Sequence, residues 1–236
     1  MANLGEYLGA GSGTTKLLLH LNGNSTDSSG NGNTATSSGV SYGLSYGKFG
    51  QGASFPGSSA YINYPSSASL DSRSTTTMSC WVNIQSLPAS GASQVFFSRG
   101  VGDGFGMFLR VENVGGTIKL KGSVVVTSPD TMYAVEGLVP STNTWYNIVG
   151  VFDSPNQLLY LYVNGDGQGS TKTTAGTVMR LGATASQKGA IIGAYSTSNQ
   201  AVLNGYIDEC IIENRAWTAS EVKKYYSYAK GRFGII

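Results

Sequence analysis

The sequence is poor in the residues that carry most enzymatic and metal chemistry. Its 236 residues include two cysteines and one histidine, and 12% of them are charged, about half of the usual ~25%. Cys80 and Cys210 lack the paired spacing of a metal site, and each lies in an apolar run, where a buried free thiol and a disulfide are both open. A Ser-His-Asp arrangement would depend on His20, which lies in an apolar strand-like run. These shortages argue against thiolate-metal sites and serine-type catalysis.

Long apolar segments and a strong net charge are also lacking. No run approaches the ~20 apolar residues that span a bilayer. The first ten residues have no basic segment and no apolar run, so they do not predict a secretory signal. A net charge of +2 gives no strong field for a polyanion. We therefore expect neither membrane insertion nor nucleic-acid binding.

Glycine and tyrosine are abundant instead, with 33 and 14 copies. Short runs that alternate apolar and polar residues recur every 8–12 residues or so, which is typical of a β-sandwich. Asn164-Gly165 predicts a tight hairpin, because both residues accept a positive φ. Pro56-Gly57 predicts a second hairpin bend, between Tyr46–Phe55 and Tyr61–Tyr64.

One helix is predicted near the end of the chain. Thr218 and Glu221 have the spacing of a capping box. An apolar stripe at helical spacing follows, formed by Val222, Tyr225, Tyr226 and Ala229. Residues 1–15 are small and Gly-rich, and we interpret them as an N-terminal arm or linker. Residues 16–236 are predicted to form one domain.

An acidic pair interrupts the last predicted strand. Strict alternation would place Asp208 on one face with Cys210 and Ile212, and Glu209 on the other. On either face a carboxylate has apolar neighbours, so it must stay wet at the strand end or be paired, hydrogen-bonded or bound to a cation.

Six motifs in a fixed order carry a family resemblance. They are Leu17–Gly23 with Asp27–Gly32, Gly47–Phe55, Met78–Val82, Trp145–Asp153, Leu159–Gly165, and Asn204–Glu209 with Asn214–Thr218. Each motif alone is weak, but together they resemble the laminin-G-like, concanavalin A-like jelly-roll family. The resemblance implies an all-β sandwich of two antiparallel sheets, with one short C-terminal helix and with the last strand beside the first.

The resemblance also implies a structural Ca²⁺ between the loop after the first strand and the last strand. Carried over, its ligands are Asp27 and Asp208, with carbonyl groups near Asn31 or Asn33. Oxygen ligands of this kind suit Ca²⁺. The alternative is that Asp27 forms a side-chain turn and that Asp208 accepts hydrogen bonds from loop amides, without a metal.

Related glycosidases carry their carboxylates as Glu-x-Asp-x-x-Glu on one strand, and the chain has no such run. We therefore expect no enzyme activity and favour glycan binding. The candidate ligand contacts are aromatic residues that look exposed, Tyr42, Tyr46, Tyr133 and Tyr195, together with the polar residues Arg99, Asp103 and Asn199. Trp81, Trp145 and Trp217 match core positions of the family and are not offered as ligand contacts.

The lone domain and short arm resemble structural proteins of tailed phage particles. This predicts a non-enzymatic adhesion protein in the virion, either a capsid decoration or a tail protein. Its partners would be a cell-surface glycan and, through the arm, other virion proteins, and a homo-oligomer is possible. The alternative is an extracellular carbohydrate-binding module from a secreted bacterial protein. A glycosidase is the third hypothesis.

Overall fold

The computed structural model describes residues 13–71, 74–100, 106–127, 130–173, 178–182, 184, 188–198 and 200–232. Residues 1–12 of the predicted arm, Asp103 and Asn199 lie outside these ranges. The described chain is built mainly from strands, whose bounds are β1 Thr15–Leu19, β2 Thr36–Ser38, β3 Ser41–Gly43, β4 Gly52–Pro56, β5 Tyr61–Tyr64, β6 Thr76–Ile84, β7 Ser93–Arg99, β8 Met107–Val114, β9 Thr117–Val126, β10 Thr131–Glu136, β11 Trp145–Asp153, β12 Leu158–Val163, β13 Asp166–Lys172, β14 Ala190–Ile192 and β15 Asn204–Glu213. A 3₁₀ turn spans Leu44–Tyr46, and helix α1 spans Ala219–Arg232.

The strands form two antiparallel sheets packed face to face. An eight-stranded sheet runs β13-β12-β11-β6-β15-β4-β3, with β1 also paired to β15. A seven-stranded sheet runs β10-β9-β8-β7-β14-β5-β2. The pairing of β1 with β15 places Leu18 opposite Ile211, so the first and last strands are neighbours. The predicted jelly-roll sandwich is confirmed.

One large apolar core fills the space between the sheets. Strand β6 shows how it forms, because Met78, Cys80 and Val82 point into this core. The alternate residue Trp81 packs on the outer face, against Phe49 and Ala229. Period-two alternation therefore sorts the strand into two buried faces.

Two turn predictions had different outcomes. The Asn164-Gly165 hairpin is confirmed, because Val163 pairs with Asp166 and both turn residues have positive φ, 54° and 83°. The Pro56-Gly57 hairpin is wrong, because β4 and β5 belong to different sheets. Both strands face one core from opposite sides, so alternation alone cannot distinguish an arch between sheets from a hairpin within one.

Helix α1 covers part of the outer face of the eight-stranded sheet. Its predicted capping box is present: the Thr218 N–H donates to Glu221 Oε2 at 2.7 Å, and the Glu221 N–H donates to Thr218 Oγ1 at 3.2 Å. Val222 and Tyr225 lie on the inner side of the helix and are buried in a cluster with Trp217. No described helix is long and apolar enough to cross a membrane.

Candidate functional site

The outer face of the seven-stranded sheet holds a cleft of about 520 Å³. Strand β8 supplies one wall, because Leu109 and Val111 point into the core and Arg110 and Glu112 point outward. Among the residues that the structure describes, the lining is Ser93, Arg110, Glu112, Met132, Tyr195, Gln200 and Ala201. The Val95 N–H donates to the Ala201 carbonyl at 2.8 Å, which holds the far wall against β7.

An aromatic pair supports this cleft from below. Phe108 and Tyr195 meet edge to face, with ring centroids 5.0 Å apart and a 74° angle between planes. The Arg110 guanidinium carbon lies 5.0 Å from the Phe108 ring centroid, in cation–π contact. Phe108 is fully buried, and Tyr195 keeps 6% of its surface exposed. The rings therefore fix the position of Arg110, and the cleft surface itself is largely polar.

A chain of alternating charges runs along the cleft and across the sheet. Arg110 Nη2 lies 3.2 Å from Glu112 Oε1, and the Lys121 Nζ lies 2.6 Å from Glu112 Oε2 and 2.8 Å from Glu136 Oε1. Burial lowers the pKa of Lys121, but the hydrogen bonds and charges of the two glutamates outweigh it and raise that pKa above its usual value. The hydrogen bond from Lys121, with its charge, lowers the pKa of Glu136. Both pKa shifts favour the charged forms of Lys121 and Glu136.

Two buried polar atoms on the outer side of β8 and β9 have no hydrogen-bond partner among the described residues. These are Arg110 Nε and Ser123 Oγ, and both are buried. Arg110 lies opposite Lys121 and Phe108 lies opposite Ser123, so the two atoms belong to adjacent residue pairs of β8 and β9 on the same face. Arg110 lines the cleft through the rest of its side chain, but neither of these two atoms has surface that a ligand in the open cleft could reach. A buried polar group that stays unpaired costs free energy, so this part of the sheet is held at some cost to stability.

The opposite outer face carries the acidic pair, with a different geometry. A β-bulge separates Asp208, which pairs with Trp81, from Ile211, and Glu209 has φ +50°. The bulge places both Ile207 and Cys210 in the core, so the strict alternation predicted for this strand is wrong. Asp208 Oδ2 accepts the N–H groups of Lys48 and Phe49, at 2.8 and 2.9 Å.

Asp208 is fully buried, and its Oδ1 has no partner. Burial, and then the neighbouring Glu209 charge, raise the pKa of Asp208 to about 7, although backbone N–H groups oppose the shift. The Glu209 carboxylate lies within hydrogen-bonding distance of His20, with 3.0 Å between Oε2 and Nδ1. His20 follows β1 directly, at the end of that strand.

Asp27, Asn31 and Asn33 line the free edge of β1. Asp27 Oδ1 accepts the Leu18 N–H at 3.1 Å, and its Oδ2 accepts Asn33 Nδ2 at 2.7 Å. Asn31 and Asn33 each donate a side-chain N–H to a β1 carbonyl at 2.8 Å. This loop thus closes a strand edge with side chains.

The calcium expectation fits this geometry poorly. The neighbours of Asp27 and Asp208 are hydrogen-bond donors, whereas Ca²⁺ requires converging oxygen ligands. In the described ranges no group of three or more His, Cys, Asp or Glu side chains is placed to hold a metal ion. The structure therefore resembles the metal-free alternative, and the calcium site stays a prediction.

Of the predicted ligand residues, those that the structure describes are not brought together. Tyr195 lines the cleft. Tyr133 and Tyr42 pack against the main core. The ring centroid of Tyr46 lies 5.1 Å from that of Tyr206, which belongs to the eight-stranded sheet. The expected exposure is wrong for Tyr195, which is 6% exposed. Arg99 is fully buried, so it is not available to a ligand at the surface.

Arg99 is held inside the sandwich by distant polar groups. Its Nε donates to the Leu70 carbonyl at 3.1 Å, and its Nη1 donates to Thr76 Oγ1 and Asn214 Oδ1 at 2.6 and 2.9 Å. Burial lowers its pKa to about 10, partly offset by Asp71. It remains charged at neutral pH, and its hydrogen bonds link Leu70, Thr76 and Asn214.

Sequence reasoning missed the charged residues of the cleft. Arg110 and Glu112 on β8, and Lys119 and Lys121 on β9, each occupy alternate positions of a strand. In a chain with 12% charged residues, two neighbouring strands with charges at this spacing indicate one polar face. That was the available signal.

The two-layer antiparallel sandwich with its first and last strands paired is a concanavalin A-like jelly roll. A family model described as the concanavalin A-like lectin/glucanases superfamily matches residues 56–223, well over half of the chain. The chain belongs to this family. Comparison with curated protein sequences gave no match.

Several solved structures share the fold at low sequence identity. The binding domain of Paraclostridial Mosquitocidal Protein 1 superposes with a TM-score of 0.72 and 18% identity, over 91% of this chain and 52% of that one. Domain 4 of AbnA, an extracellular arabinanase from Geobacillus stearothermophilus in complex with arabinotriose, superposes with a TM-score of 0.65 and 22% identity. The match covers 90% of this chain and 98% of that one. The ligand-binding domain of botulinum neurotoxin serotype D, in complex with N-acetylneuraminic acid, superposes with a TM-score of 0.68 and 14% identity. The match covers 91% of this chain and 51% of that one. This chain thus spans about half of the two toxin domains.

Proposed function

We propose that this chain is a non-enzymatic adhesion module that binds a glycan in the cleft on the seven-stranded sheet. The observation that carries the proposal is a concave, polar surface whose charged side chains are fixed in place while its centre stays open. Sites of this kind suit sugars, which offer many hydroxyl groups and few apolar atoms. Two proteins of the same fold carry arabinotriose and N-acetylneuraminic acid in their structures, which adds support.

The state of the carboxylates supports binding without catalysis. Hydrolysis of a glycosidic bond needs one protonated and one free carboxyl group, flanking the bond. In the cleft both Glu112 oxygens are engaged, by Arg110 and by Lys121. The pKa of Glu136 is lowered by its hydrogen bond to Lys121, so it is a poor proton donor at neutral pH.

A glycan array tests this proposal. We expect the wild-type chain to bind a subset of glycans and Arg110→Ala to lose at least about tenfold in affinity, because it removes a charged donor from the wall. Lys223→Ala is the matched control, since Lys223 is an exposed cation on α1. Binding that is equal in all three proteins would place the ligand elsewhere, and turnover of a polysaccharide would argue for the glycosidase hypothesis.

The finer part of the proposal is a role in a phage virion, as a capsid decoration or tail protein. Its support is the resemblance of a single jelly-roll domain with a short Gly-rich arm, residues 1–15, to such proteins. The arm would contact other virion proteins or further copies of the chain, and the cleft would face a host polysaccharide. Purified particles should contain the chain in stoichiometric copies, and deletion of the arm should release it. Particles without the chain would exclude this role.

An extracellular carbohydrate-binding module is the second candidate. The match that favours it is domain 4 of the arabinanase, of which 98% is covered by a superposition over 90% of this chain. The two are therefore of nearly equal size. Tight glycan binding by a monomer in culture medium, with no association with particles, would favour this candidate over the virion role.

A further inference from the structure

We infer that the interior of the sandwich binds one structural water molecule, which bridges Arg99 Nη2 and Asp71 Oδ1. Neither residue lines the cleft, so the inference is independent of the proposed function. It rests on two buried atoms with opposite hydrogen-bonding needs, and on the loop that holds them near each other.

The first of these atoms belongs to a buried cation. Arg99 is fully buried, and a guanidinium group carries five N–H donors. Its Nε donates to the Leu70 carbonyl, and its Nη1 donates to Thr76 Oγ1 and Asn214 Oδ1. Its Nη2 is also buried, but it has no hydrogen-bond partner among the described residues. Because an unpaired donor on a buried charged group is costly, Nη2 requires an acceptor.

The second atom is a buried acceptor on the neighbouring loop. Asp71 Oδ2 accepts the Ser66 hydroxyl at 2.5 Å, whereas Asp71 Oδ1 is buried and has no partner among the described residues. Asp71 follows Leu70, whose carbonyl binds Arg99. Burial lowers the pKa of Arg99, and the Asp71 charge partly opposes that shift. The carboxylate therefore lies close to the guanidinium, yet no direct hydrogen bond joins Nη2 to Oδ1.

Water is the ligand that suits both atoms. Its oxygen can accept from Nη2 while one of its hydrogens is donated to Oδ1. The guanidinium and the carboxylate balance each other in charge, so the site needs no ion. Both atoms are buried, so a larger ligand has no surface to approach. Proteins hold about one buried water per 27 residues, at polar groups that otherwise lack partners.

The bridge would complete a polar connection from the interior to the free edge of β1. The connecting segment is the loop at residues 66–71. The Ser67 and Ser69 hydroxyls donate to Asn33 Oδ1 at 2.8 and 2.7 Å, and the Asn33 side chain donates to a β1 carbonyl. Arg99 holds the other end of the same loop. The water therefore helps to position the loop that supports Asn33 at the edge of β1.

The first experiment is a high-resolution crystal structure of the wild-type chain. We expect one water within about 3.2 Å of both Arg99 Nη2 and Asp71 Oδ1. In solution, nuclear Overhauser spectroscopy should show a contact between the Arg99 Nη2 hydrogens and a long-lived water. Measurement in the rotating frame separates this contact from exchange of the hydrogens with solvent, because the two signals differ in sign.

The second experiment repeats both measurements on three variants. Asp71→Asn keeps an oxygen acceptor, and Asp71→Leu removes it at similar size. Ser66→Ala is the matched control, since it removes only the partner of Oδ2. We expect the water to remain in Asp71→Asn and Ser66→Ala and to be lost in Asp71→Leu, because a buried water needs two or more partners.

The wild type and Asp71→Asn decide the question even where Asp71→Leu fails to fold. A direct hydrogen bond between Arg99 Nη2 and Asp71 Oδ1, with no water between them, would overturn the inference. So would a water that persists unchanged in Asp71→Leu, since Arg99 would then hold it without the carboxylate.

Discussion

The outer faces of the two sheets are both formed by alternate residues of their strands, but they differ in what covers them. On the eight-stranded sheet, α1 covers part of the outer face. Aromatic side chains fill the interface beneath it, with 5.2 Å between the ring centroids of Trp217 and Tyr225. On the seven-stranded sheet the corresponding face stays open and carries the charged wall of Arg110 and Glu112.

The carboxylates show what this difference means. Asp208, on the covered face, is fully buried with one oxygen unpaired, and its pKa is raised to about 7 by burial and by Glu209. Glu136, on the open face, has its pKa lowered by a hydrogen bond from Lys121. The covered face thus holds charge at a cost to stability, and the open face holds charge that is available to a ligand.

The largest expected effect comes from the covered face. Tyr225→Ala removes a fully buried ring from the cluster with Trp217 and Val222, so we expect the free energy of unfolding to fall by about 3–5 kcal/mol. Denaturant titration measures it. Lys224→Ala, an exposed neighbour on α1, should stay within about 0.5 kcal/mol.

The matched change on the open face sharpens the contrast. Met132 lines the cleft and is 42% exposed, so Met132→Ala should lower the free energy of unfolding by no more than about 1 kcal/mol. An equal loss for Tyr225→Ala and Met132→Ala would show that the two faces do not differ in their contribution to stability.

The next prediction concerns pH. The Asp208 carboxyl titrates near 3.8 when unfolded and near 7 when folded, so the native state holds its proton more tightly. Its contribution to stability is complete below pH 3.8 and is lost as the pH rises through about 7. In the wild type, the shift should lower the free energy of unfolding by at most about 4 kcal/mol between pH 4 and pH 8. We expect this decrease to be absent in Asp208→Asn.

Unfolding titrations at several pH values measure this difference between wild type and variant. Asp166→Asn, an exposed change at the first residue of β13, is the control and should keep the wild-type pH profile. Parallel profiles for wild type and Asp208→Asn would mean that the buried carboxyl is ionised in the native protein throughout this range.

The fold was predictable because its signals are local. Alternation along β6, the two positive-φ residues at Asn164-Gly165 and the Thr218–Glu221 capping box each act within a few residues. The bulge at Asp208 was not, since it depends on how β15 packs against β6 and β1 together.

The cleft was less predictable because its walls are distant in sequence. Arg99 and Arg110 both lie in strands and look equivalent along the chain. Arg99 is buried by partners from Leu70 and Asn214, and Arg110 faces a cleft whose far wall is residues 195–201. Only the three-dimensional pairing of strands distinguishes an internal arginine from one that faces a ligand.

The smallest expected effect concerns calcium, and it tests whether the covered sheet closes its edge without a metal. Because Asp27 and Asn33 already satisfy the free edge of β1 through hydrogen bonds, we expect excess chelator to leave the melting temperature within about 1 °C of its value in calcium. Asp27→Ala should lower it in both conditions, since the Leu18 N–H loses its acceptor. A ligand that binds only the folded chain raises stability. A clear fall in the melting temperature on chelation, absent in Asp27→Ala, would therefore establish the calcium site. The metal, and not hydrogen bonding alone, would then close this edge.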